Sequence, residues 1–143
     1  MQFSGLRQRR DMDAAVRQLV WHRAGDRCEY CRLPQTAASA FTFHVAHIRA
    51  RQHGGGDEPS NLALACPDCN RHKGPNLSAV DPDTLAVVSL FHPREHAWNE
   101  HFAMVGARIE GITAVGRATA EPLDMNNDER VEMRAELQDC GEM

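Results

Sequence analysis

The chain has 143 residues, 42% of them hydrophobic and 25% charged, close to globular averages and far from disordered compositions. No run approaches the roughly 20 apolar residues a bilayer crossing needs, and the opening MQFSGLRQRR lacks the apolar centre of a secretion signal, so a cytoplasmic protein is expected. The net charge of −4 conceals an asymmetry: residues 1–75 hold 11 Lys and Arg against 7 Asp and Glu, the remainder 5 against 13. The positive half is either a surface for a phosphate backbone or ordinary solvated surface.

In chain order, Asp11 to Arg23 sets Val16, Leu19, Val20 and the stem of Arg23 at helical spacing, with Asp near its start and Gly25 beyond its end, which predicts a helix over the core. DRCEYCRLP is a tight knuckle ended by Pro34. After the polar connector QTAASA, Phe41 to Ile48 alternates as a strand, and the loop RARQHGGGDEPSN has too much Gly and Pro for regular structure. Leu62 to Ala65 is a second short strand, and CPDCNRHKG a second knuckle entering a helix. Beyond the connector PNLSAVDPDT, LAVVSLF reads as a strand, and HAWNEHFAMVGARIEGITAVGRA as a short helical or extended piece with a hairpin turning near Val105-Gly106. NNDERVEMRAELQDC reads as a helix capped by Asn127 or Asp128, with Val131, Met133 and Leu137 facing inward.

The strongest chemical signal is the cysteine spacing. Cys28 and Cys31 form one C-x-x-C and Cys66 and Cys69 another, with 34 residues between the pairs. Each knuckle presents two sulfurs on one side, and zinc takes a tetrahedron of four. A disulfide reading is disfavoured in a reducing compartment, and a thioredoxin-type site needs only one pair. Cys140 is left over near the end. Zinc held by both knuckles forces the intervening residues into a closed excursion, and that excursion carries His44, His47 and His53.

The ordered set of C-x-x-C, a strand ending in His-Ile, a Gly-Gly loop, Asn-Leu and C-x-x-C-N-x-x-K-G resembles the HNH endonuclease family over Cys28 to Gly74. GPNLSAVDP and GRATAEPLDMNNDERVEMRAEL look like the tail of small stand-alone HNH proteins. The resemblance implies an α+β fold with a ββα-metal (HNH, His-Me finger) core stapled by the four-cysteine zinc site. Residues 1–76 would form the core with its N-terminal helix, and residues 77–143 a small mixed α/β extension packed on it. By position, His47 is the expected general base, Asn61 the residue that orients it across the loop, and Asn70 an amide ligand for Mg2+ or another divalent ion. Imidazole titrates near neutral pH, as a base for water must. Arg49, Arg51 and Lys73 are candidate phosphate contacts, and DNA is the expected partner.

One position departs from the family pattern. Ala46 stands where an Asp or Glu metal ligand is expected, and a methyl group ligates nothing. Three readings are open: a substitution that inactivates the nuclease, His44 serving instead as an imidazole donor from the same strand face, or a domain that binds without cleaving. The alternative function class is therefore a nonenzymatic zinc module that binds nucleic acid or protein.

Overall fold

A computed structural model describes residues 13–38 and 40–143; Asp11 and Met12 of the expected first helix, and the basic stretch before them, lie outside the described residues. Helix α1 spans Ala14–Ala24. The Asp13 carboxylate accepts from the Ala15 amide at its start, and Gly25, with φ of 63°, ends it in the left-handed conformation that glycine adopts without a Cβ penalty. Val20 is buried, while Leu19 faces solvent, because Trp21 and Val16 take the core-facing positions instead. Trp21 stacks on Phe43 at 6.4 Å between ring centroids.

Strand β1 (His44–His47) pairs antiparallel with β2 (Leu62–Ala65), His47 opposite Leu62 and Ala46 opposite Ala63. Helix α2 (Pro67–Lys73) follows directly and packs against both strands, so the segment has a ββα arrangement. Every residue of β2 is buried, as an unbroken Leu-Ala-Leu-Ala run requires. The first knuckle joins the same sheet: the Glu29 amide donates to the Leu64 carbonyl, and the Leu64 amide to the Glu29 carboxylate, both at 2.8 Å. Arg23 of α1 donates to the carbonyls of Pro59 and Leu62.

The remainder contains two more hairpins and three helices. Strands β3 (Ser78–Val80) and β4 (Val87–Ser89) pair with each other, so the expected LAVVSLF strand shrinks to three residues and its partner lies in the expected connector. Helix α3 (Trp98–His101) leads into β5 (Phe102–Val105) and β6 (Arg108–Gly111), which turn through Gly106 as the sequence predicts. Helix α4 (Ala114–Ala120) lies where no helix is expected. Its Gly116 sits so close to the His101 carbonyl that a Cβ there would lie 1.9 Å from the oxygen. The glycine that weakens the helical signal is thus the one that lets the helix dock. Helix α5 (Asp128–Asp139) is capped by the Asn127 side chain, which accepts from the Arg130 amide.

A single hydrophobic cluster crosses the expected boundary at residue 76: Val20, Tyr30 and Leu64 share it with Phe91, Phe102, Leu123 and Leu137. Polar contacts follow. Trp98 Nε1 donates to the Tyr30 carbonyl at 2.8 Å, Arg94 pairs with Glu29, and the Arg32 guanidinium lies over the Trp98 ring.

Asp81, fully buried, receives Nε and Nη2 of Arg117, each at 2.9 Å, and the Thr84 hydroxyl at 2.8 Å, which ties α4 to the β3–β4 hairpin. The Arg117 contact holds the Asp81 carboxyl well below the usual carboxylate range. A depressed folded-state pKa stabilises above the unfolded carboxylate value of about 3.9 and loses that contribution as pH falls through and below it. Asp81→Asn should lower the melting temperature by a few degrees at pH 7, with the gap to the wild type closing toward pH 3. Calorimetric melts across that range check it, and a constant gap contradicts it.

Candidate metal centre and candidate active site

The two knuckles are built alike. In each, the amide of the second cysteine points at the sulfur of the first at 3.4 Å, Cys31 to Cys28 and Cys69 to Cys66. Arg32 takes a positive φ of 67° to close the first knuckle, and Pro67 opens α2 behind Cys66 in the second. All four thiols are buried and unbridged, and their Sγ atoms lie within 4.8 Å of one another. Cys31 Sγ and Cys66 Sγ stand 3.7 Å apart. A tetrahedral zinc with bonds of about 2.3 Å separates its sulfurs by about 3.8 Å, so the donor set and spacing fit that ion. Sulfhydryl donation from Cys28 and Cys69 pulls the Cys31 and Cys66 thiols down, while burial pushes Cys28 and Cys69 up. Four such thiols ionise together only when a cation shares the pocket.

The chain itself brings one cation to the pocket. Arg130 of α5, 1% exposed, donates Nη1 to Cys69 Sγ and Nε to Asp68 Oδ2, both at 3.2 Å. Burial opposes its charge, but Cys69, Cys31, Cys66 and Asp68 hold the guanidinium above its ordinary value. Of the residues expected to face inward on α5, Leu137 is buried and Met133 packs half-buried against the core, but the fully buried face also holds Arg130 and Arg134, which the sequence pattern does not predict. Arg134 donates to the carbonyls of Ala107 and Met125 at 2.7 Å. Two arginines four apart, followed by a leucine, were the available signal.

His47 ends β1, 23% exposed at its side chain, and its Nε2 lies 2.7 Å from Asp57 Oδ1. Arg51 holds the other side of that carboxylate, with Nη2 at 2.9 and 3.1 Å from its oxygens. The His47 hydrogen bond and the Arg51 guanidinium keep the Asp57 carboxyl below its usual range. Neither partner relation was legible beforehand, because Asp57 sits in the glycine loop, ten residues from the histidine. That loop is pinned by Asn61, which accepts from the Arg49 amide and donates to the carbonyls of Arg49 and Gly56. Gly55 passes so near that a Cβ would lie 1.8 Å from the Arg49 oxygen. Asn61 therefore bonds loop backbone, and the recorded contact of the imidazole is Asp57.

Asn70 is mid-helix in α2, partly exposed, rather than at the helix start. Its carbonyl takes the Gly74 amide. His44 is exposed, and strand alternation puts it on the face of Ala46. Arg49 and His53 are exposed. Lys73 is not: at 4% exposure it donates Nζ to the Ile48 carbonyl at 2.7 Å. Among the described residues, the four cysteines are the one cluster of three or more His, Cys, Asp or Glu side chains arranged to hold an ion. That cluster does not include His47, and the Ala46 side chain beside it offers no ligand atom.

Arg130→Met should leave the four sulfurs in place but remove the charge beside Cys69, raising the rate of zinc transfer to a colorimetric chelator about 10–100-fold, the range for lost supporting groups around metal sites. An unchanged transfer rate in a folded variant contradicts a role for Arg130 at the metal.

No described helix is long and apolar enough to cross a membrane. No curated protein and no solved structure matches the chain. Residues 28–76, which hold both knuckles, the β1–β2 hairpin, the glycine loop and α2, match the model of the family described as HNH endonuclease. Over this segment, about a third of the chain, the protein is similar to HNH endonucleases, and the segment carries a four-cysteine site suited to zinc.

Proposed function

We propose that the HNH domain is a zinc-stabilised ββα scaffold for hydrolysis of nucleic-acid phosphodiesters, DNA first among them. The observation that carries this reading is the 2.7 Å contact between His47 Nε2 and Asp57 Oδ1 on a partly exposed imidazole. A carboxylate facing Nε2 accepts a hydrogen bond from Nε2–H, which keeps the ring proton there and leaves Nδ1 as the basic nitrogen. His47 Nδ1 then removes a proton from water as the water oxygen bonds to phosphorus, and the bond to the 3′ oxygen breaks, that oxygen taking a proton from solvent. Asp57 stabilises the imidazolium that results, and Arg51 holds Asp57 in place. Zinc supplies folding energy at Cys28, Cys31, Cys66 and Cys69 and takes no part in this sequence.

Hydrolysis by this family draws on a divalent cation such as Mg2+, which stabilises charge on the phosphorane and leaving oxygen when bound. Ala46, Asn70 and the exposed His44 do not make such a site, so the chain as it stands keeps the proton-accepting half of the reaction without an anionic metal ligand. That same observation favours the second reading, a zinc module that binds nucleic acid without cutting it. Free thiols at all five cysteines suit a reducing, cytoplasmic setting.

Plasmid nicking with Mg2+, Mn2+ or Ni2+ separates the two. Ala46→Asp or Ala46→Glu should restore cleavage, and His47→Ala in that background should lower it about 10²–10⁴-fold. Asp57→Asn should lower kcat more than it raises KM and shift the pH profile, since it perturbs the imidazole and not substrate contact. Both carboxylate variants staying inert with every metal, on DNA and RNA alike, would leave binding as the function.

A further inference from the structure

A cleft of about 410 Å³ opens beside the end of β1, between the HNH domain and the extension. Ile48, Arg49, Lys73, His92 and His96 line it, with Glu58 and Glu95 at its exposed rim. Lys73 is the unusual member. Its ammonium is buried, carries one recorded hydrogen bond, to the neutral Ile48 carbonyl, and has no ion-pair partner among the described residues. A buried cation without an anion is costly, and structures retain one where something else completes it. The neighbouring His92 is kept neutral, by its burial first and also by the nearby His96 and Lys73.

The two histidines are fixed as donors. His92 Nδ1 accepts the amides of Arg94 and Glu95 at 3.2 Å, and His96 Nδ1 accepts the His92 amide at 3.0 Å. With Nδ1 an acceptor, each neutral ring carries its proton on Nε2, and neither Nε2 has a recorded partner among the described residues. That tautomer suits an oxyanion and not a metal ion, which needs the Nε2 lone pair. Lys73, Arg49 and two histidines that carry their proton on Nε2 thus line one cleft, one residue along the chain from His47.

We propose that this cleft is a phosphate-binding site that grips the nucleic-acid backbone beside His47. The proposal rests on the nucleic-acid reading above but not on cleavage. Its ligand chemistry is a phosphodiester oxyanion, and the extension contributes the histidines, so the second half of the chain is part of the substrate surface.

Fluorescence anisotropy of a labelled duplex, without added divalent metal and across a salt series, tests it on the full chain. His92→Asn with His96→Asn keeps an acceptor for the same backbone amides and removes both outward donors; binding should weaken about tenfold. Lys73→Gln should weaken it similarly and reduce the slope of log affinity against log salt by about 0.9. Duplex binding equal to the wild type in both folded variants overturns the site. If the wild type binds neither DNA nor RNA oligonucleotides, the assignment to nucleic acid is overturned, and perturbation of the His92 and His96 ring signals by inorganic phosphate then identifies free phosphate as the ligand. Cleft-dependent binding with an inert Ala46→Asp variant would sink the nuclease reading while upholding this one.

Discussion

Four buried sulfurs brought within bonding distance of one ion are the constraint on which the rest of the molecule depends. Thiolates so close repel one another, and the pocket is stable as an ionised set only with positive charge inside it. The molecule provides for this from two directions. The knuckles present a tetrahedral donor set for zinc, and α5 inserts Arg130 against Cys69 from the far end of the chain. The metal site therefore joins the chain's ends: it closes the excursion that carries His47 and anchors the last helix.

Within that excursion, precision comes from a few backbone contacts. Asn61 ties Arg49 to Gly56, and Gly55 allows the close pass that the Asn61 bonds require. The loop so held delivers Asp57 to His47. Lys73 reaches the carbonyl of the next residue, Ile48. The end of β1 is thus held by two separate contacts, and the imidazole stays partly open. Position 46 is separable from all this: Ala46 pairs with Ala63 in the sheet and takes no part in the sulfur cluster.

Much of the core was legible because its signals are local or periodic. The C-x-x-C spacing, the short apolar run at Leu62, Gly25 after the first helix, the turn at Gly106 and the Asn127 cap each state their structure within a few residues. What escaped reading depends on partners far along the chain. Lys73 resembles a surface cation in CNRHKG, and only the fold shows that Ile48 covers it. Arg130 and Arg134 look like the solvent face of a charged helix, and become its buried face because sulfurs and carbonyls wait for them. Helix α4 was hidden by Gly116, whose missing side chain is what the His101 contact needs.

Zinc K-edge X-ray absorption on the purified protein tests the central claim most directly. The account predicts four sulfur scatterers at about 2.3 Å and no nitrogen or oxygen in the shell. A shell dominated by nitrogen or oxygen, or protein purified without zinc yet fully folded, would contradict it.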